Sequence, residues 1–132
     1  MPHFTIEYSR NLEDRVDFRD LAKNIHAAAL STGVFDVAAV RTRTEPRDNY
    51  VIADDRPENA YVAITARIAA GRSEEVRKRV GQTVFDVLCD SLAKVYETTP
   101  IGLSLEVQEI DPVASFKKNS IREMMKQRAV KA

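Results

Sequence analysis

The hydrophobic pattern of this chain changes from a period of two to a period near 3.6 and back, and it does so twice. Between Pro2 and Tyr8, the apolar Phe4, Ile6 and Tyr8 alternate with His3, Thr5 and Glu7, which is the pattern of a half-buried strand. Phe18, Leu21, Ala22, Ile25, Ala28 and Ala29 then recur at helical spacing. Asp17 is placed to cap the start of that helix, and Gly33 to end it in a left-handed conformation. After a Gly-Val-Phe turn, Val37 to Thr44 reads as a second strand, with Arg41 and Arg43 on one face and Val40 and Thr42 on the other.

The same order follows a connection. Glu45 to Asn59 holds Pro46, Pro57 and Asp54-Asp55 around a short apolar Tyr50-Val51-Ile52, so it reads as a long connection with room for a brief strand. Ala60 to Ile68 is rich in strand formers. Ser73 then caps a long helix with the stripe Val76, Val80, Val84, Val87, Leu88, Leu92 and Val95, closed by Pro100. Ile101, Leu103, Leu105 and Val107 alternate with Gly102, Ser104, Glu106 and Gln108 as a last single-faced strand.

The expected class is therefore α+β in two layers. Two βαβ units form a four-stranded sheet with two helices on one face, because right-handed crossovers place both helices on the same side. One domain spans residues 1–132: a βαβ unit over 2–44, a connection over 45–59, a second unit over 60–110 and a C-terminal arm over 111–132. The bare sheet face predicts an oligomer. Within the arm, a short helix from Asn119 or Ser120 carries Ile121, Met124 and Met125, and its pattern suggests docking on a neighbouring copy.

Composition removes several function classes. Twenty Lys plus Arg balance twenty Asp plus Glu, so the electrostatic attraction that nucleic-acid binders rely on is missing. The basic tail of Lys126, Arg128 and Lys131 reads as a solvated helix face. No apolar run approaches the roughly 20 residues that span a bilayer. A single cysteine, Cys89, cannot form an intramolecular disulfide, which suits reducing cytosol; next to the apolar stripe, it reads as a small hydrophobe. His3 and His26 have no ligand spacing, and no glycine-rich phosphate loop occurs, so neither a metal nor a cofactor is expected.

The chemistry-bearing candidates are few. Pro2 follows Met1 and leads straight into a strand whose next residues are buried; methionine before a small residue such as proline is ordinarily removed. Removal leaves a secondary amine fixed by the sheet, and desolvation brings its pKa down toward neutrality, where an amine serves as general base and acid. The alternative is an ordinary strand-opening proline. Arg41 and Arg43 stand on a strand among Ala38, Ala39 and Val40, and a guanidinium there wants a carboxylate, either from a substrate or from Glu7 or Glu106 across the sheet. Arg72, at the start of the second long helix, sits where free N–H groups and the helix dipole also favour an anion.

Met-Pro-His-Phe-Thr-Ile-Glu-Tyr at the start, Thr32-Gly33-Val34-Phe35, Val40-Arg41-Thr42-Arg43, Ile68-Ala69-Ala70-Gly71-Arg72-Ser73 and Phe116-Lys117-Lys118-Asn119 together resemble the 5-carboxymethyl-2-hydroxymuconate delta-isomerase family of the tautomerase superfamily, from Pro2 to about Ile121. The resemblance implies a homotrimer with active sites near subunit contacts. It also implies an unsaturated 2-hydroxy polycarboxylate as substrate, drawn from bacterial aromatic catabolism through homoprotocatechuate. By the same resemblance, the amine of Pro2 moves the proton and Arg41, Arg43 and Arg72 hold the substrate carboxylates. A related tautomerase acting on another 2-oxo acid or its enol, and a non-catalytic trimeric binding module, are the alternatives.

Overall fold

The computed structural model describes residues 1–131, and the side chain of Lys131 and all of Ala132 lie outside the described residues. The chain runs β1 (His3–Ser9), a short 3-10 turn (Arg10–Leu12), α1 (Phe18–Ser31), β2 (Arg41–Arg47), β3 (Ala60–Ala69), α2 (Glu74–Ser91), α3 (Ala93–Thr98), β4 (Ile101–Ile110) and α4 (Ile121–Lys131). The sheet order is β2-β1-β3-β4. β1 pairs parallel with β2, β3 pairs parallel with β4, and the two units meet along an antiparallel β1–β3 seam. The βαβ repeat expected from the periodicity is present, as a mixed sheet.

Alternation in the strands decides which face carries the core. Phe4, Ile6 and Tyr8 of β1 stand opposite Ala66, Ile64 and Val62 of β3, and all six are buried. The helices supply Phe18, Leu21, Ile25, Ala28 and Ala29 from α1 and Val80, Val84 and Leu88 from α2. Asp17 accepts from the Asp20 N–H, and Ser73 accepts from the Val76 N–H, so both predicted N-caps are made. Gly33 follows α1 with φ +72°, as its left-handed role requires. No helix among the described residues is long and apolar enough to cross a membrane.

Four features differ from expectation. β2 begins at Arg41, because Asp36 folds residues 36–39 into a turn: its Oδ1 accepts from the Ala38 N–H and its carbonyl from the Ala39 N–H. β2 then continues through Pro46 to Arg47, which an edge strand tolerates. Tyr50-Val51-Ile52 forms no strand; Ala53 and Asp55 adopt positive φ, and Tyr50 packs edge-on against Tyr61. The long second helix divides at the buried Leu92, where neither proline nor glycine marks a break.

The arm does not stay clear of its own subunit. Asn119 Nδ2 donates to the Ala38 carbonyl at 3.0 Å, its Oδ1 accepts from the Ile121 N–H at 2.9 Å to start α4, and Arg122 pairs with Asp36. The arm is thereby tied to the 36–39 turn, while Phe116 (91% exposed) and Val113 point to solvent.

Candidate active site

The start of β1, the turn before β2, the end of β3 and the arm meet at one end of the sheet. Pro2 is buried, and its carbonyl accepts from the Arg41 N–H at 3.0 Å, so the first residues of β1 and β2 are locked together. Gly33 lets the chain leave α1 sharply enough for Phe35 to meet Phe4 edge-on, with ring centroids 5.9 Å apart. Gly71, at φ +107°, turns the chain after β3 and delivers Arg72 to the same corner. The Arg72 guanidinium lies over the Phe35 ring, 5.1 Å from its centroid, and donates to the carbonyls of Ala69 at 3.2 Å and Val34 at 3.4 Å.

Arg41 is held in a similar way, by the carbonyls of Ala38 at 3.0 Å and Val40 at 3.4 Å. Arg43 turns instead to His3, with Nη1 3.0 Å from Nδ1. Among the described residues none of these three arginines has a carboxylate partner, whereas Arg10, Arg47, Arg56 and Arg122 each do. The internal partners that a purely structural role would use are otherwise engaged. Glu7 accepts from Tyr61 at 2.6 Å and from Arg47, and Glu106 accepts from Gln108 at 2.8 Å. Guanidiniums with spare donors and no internal carboxylate are equipped for an external anion. The dipole of α2 contributes less than its position suggests, because Glu74 and Glu75 already fill its first turn.

The electrostatic field at this corner is positive. The terminal amine of Met1 is held below its ordinary value, first by burial and then by Lys117, Arg41 and Arg72. Arg43 is not among the cations acting on that amine. The His3 imidazole is pushed down by burial, then by Arg43, the terminal amine, Arg67 and Arg41. The structure thus brings Pro2, Arg41 and Arg72 together, with Arg43 turned to the His3 side. Lys117 falls in one of the segments that carry the resemblance but was given no site role from the sequence: it lies in a loop without periodicity, and only the return of the arm brings it here.

Two clefts flank the terminus, one of about 400 Å³ that includes Ala39 and Asn119, the other of about 210 Å³ that includes His3 and Arg67. Met1 and Lys117 line both. A larger groove of about 690 Å³ lies elsewhere, against the β4 edge, and is lined by Phe85, Cys89, Tyr96 and Leu103. Burial, with Asp86 and Asp90 beside it, raises the Cys89 thiol above its ordinary value, which keeps it protonated and unreactive. His26 is occupied with the Thr42 hydroxyl at 2.9 Å.

Comparison with known proteins identifies the family. Residues 2–125 match the 5-carboxymethyl-2-hydroxymuconate isomerase family. The 5-carboxymethyl-2-hydroxymuconate Delta-isomerase of Escherichia coli is 32% identical over 126 residues, covering 96% of this chain and all of that protein. The crystal structure of a 5-carboxymethyl-2-hydroxymuconate isomerase from Deinococcus radiodurans R1 is 35% identical, with a TM-score of 0.86 over 94% of this chain and 93% of that one. A further crystal structure, of a 5-carboxymethyl-2-hydroxymuconate delta-isomerase, shares the fold at a TM-score of 0.88 and 24% identity, covering 95% of this chain and 93% of that one. With its tautomerase fold and a match along nearly its whole length, this chain belongs to the 5-carboxymethyl-2-hydroxymuconate isomerase family and is an isomerase.

Proposed function

We propose that the chain interconverts the enol and keto forms of an unsaturated 2-hydroxy polycarboxylate of the 5-carboxymethyl-2-hydroxymuconate type, using the amine of Pro2 as base and then acid. The observation that carries this reading is the convergence of Lys117, Arg41 and Arg72 on a part-buried chain terminus, with both arginines lacking carboxylate partners. Catalysis by the Pro2 nitrogen requires that Met1 be removed, since an amide nitrogen has no basicity.

The free secondary amine takes the proton from the 2-hydroxy group of the dienol. Electrons move from oxygen through the diene to its distal carbon, the amine returns the proton there, and the product is the conjugated 2-oxo acid. A neutral amine at pH 7 is the competent form, and burial with neighbouring cations favours that form by disfavouring the ammonium ion. Arg41 and Arg72 hold substrate carboxylates and stabilise the oxyanion that develops as the proton leaves. Arg43, turned to His3, is the outer member of the set.

The working unit proposed is a homotrimer in the cytoplasm. Its support is the sheet face without helices, the unpaired outer edges of β2 and β4, and the apolar groove beside β4. Following the ultraviolet absorbance of the dienol with enzyme shown by intact mass to lack Met1 tests the reaction. Rapid conversion is expected, and equal rates for chains with and without Met1 would eliminate Pro2 as the base.

A further inference from the structure

We propose that Lys117 is a specificity-determining residue that binds the carboxylate of the 5-carboxymethyl group and thereby favours this substrate over plain 2-hydroxymuconate. The proposal rests on the reaction assigned above and adds to it a third anion contact. Its first ground is placement. Lys117 belongs to the arm, more than a hundred residues from the terminus in sequence, yet it and Met1 form the shared wall of the two clefts at the mouth of the site.

The second ground is how firmly the arm is set there. The Ala38 carbonyl accepts from both Arg41 Nη1 and Asn119 Nδ2, each at 3.0 Å, so an arginine of the site and the arm share one anchor. Asn119 also starts α4 through the Ile121 N–H, and Arg122 pairs with Asp36 in the same turn. Two residues before that anchor, Lys117 has little freedom in where its backbone lies, but its ammonium has no carboxylate partner among the described residues.

The third ground is charge matching. 5-Carboxymethyl-2-hydroxymuconate carries three carboxylates, and Arg41 and Arg72 account for two. Lys117 is the remaining cation that acts on the terminus, from the side of the arm. A flexible ammonium suits a carboxylate on a rotatable methylene, whereas the planar forks of arginine suit carboxylates fixed on the rigid diene. An exposed lysine would otherwise be expected to stay solvated, so the proposal depends on differential effects between two substrates.

The test compares kcat/KM for 5-carboxymethyl-2-hydroxymuconate and 2-hydroxymuconate in wild type, Lys117→Met and Lys117→Arg, all shown by mass to lack Met1. Lys117→Met keeps most of the unbranched side chain and removes its charge. It should lose roughly tenfold or more on the three-carboxylate substrate, mostly in KM, with less than a threefold change on the two-carboxylate one; Lys117→Arg should recover much of the loss. An equal loss on both substrates, or no loss on either, would overturn the role of Lys117 while leaving the reaction in place. A wild type inactive on both would overturn the reaction itself and this assignment with it.

Discussion

Arg43 and His3 meet on the sheet face opposite the core, the guanidinium Nη1 3.0 Å from the imidazole Nδ1. A guanidinium can only donate, so Nδ1 accepts and the ring is neutral in this contact. Burial, Arg43, the terminal amine, Arg67 and Arg41 all depress the His3 pKa. Arg43→Ala should therefore raise it, while burial and the remaining cations keep it below the ordinary 6.5. A ring titration by NMR measures this directly, and an unchanged midpoint would refute the coupling. The folded state binds fewer protons at His3 than the unfolded chain does, so stability falls as pH drops through and below 6.5, and the variant should lessen that fall.

Arg41 and Arg72 are expected to behave differently from Arg43. Losing an arginine contact to a carboxylate in a partly desolvated site costs about 2 kcal/mol, which is about 30-fold in affinity. Arg41→Ala and Arg72→Ala should each raise KM by about that factor with the circular dichroism spectrum unchanged. Arg43→Ala should raise it much less. Wild-type kinetics in both of the first two variants would make these arginines purely structural.

The acid limb of the pH–rate profile should report the Pro2 amine. Burial and the three cations that lower the present terminal amine should act on the next nitrogen inward, so the apparent pKa should lie below the ordinary value of 8.0. Rate then falls as pH drops, because the base becomes protonated. Arg72→Ala removes one cation and should move the limb to higher pH. Pro2→Ala retains a primary amine and should keep part of the activity, whereas a retained Met1 should abolish it.

Association should depend on the faces the single chain leaves bare. Light scattering should report three times the chain mass at micromolar concentration. A monomer would eliminate the shared-interface arrangement. Because the arm is anchored to its own subunit through Asn119 and Arg122, deleting residues 115–132 should weaken substrate binding as well as association.

The helix caps set a stability scale independent of catalysis. Ser73 Oγ accepts from the Val76 N–H at 3.2 Å at the start of α2. Ser73→Ala should cost about 1 kcal/mol in denaturant unfolding without altering the unfolding slope. A loss well beyond 2 kcal/mol would mean that the hydroxyl does more than cap.

The architecture was legible because its information is local and periodic. Phe4, Ile6 and Tyr8 at period two, the stripe Val80, Val84 and Leu88 at helical period, and Asp17, Gly33 and Ser73 at the boundaries specify two βαβ units before any contact is known. Pro2 stood out for the same reason, since its position ahead of a strand is a property of adjacent residues. The corner where chemistry is proposed depends instead on contacts across 30 to 116 positions of sequence. The pairing of Arg43 with His3 follows from packing between elements. So does the seat of Arg72 on Phe35, and so does the return of Asn119 to the Ala38 carbonyl, which brings Lys117 to the terminus. Periodicity records which face of an element is buried, not which distant side chain it will meet. The partners of the arginines were therefore open between Glu7, Glu106 and a substrate until the folded chain gave Glu7 to Arg47 and Tyr61, and Glu106 to Gln108.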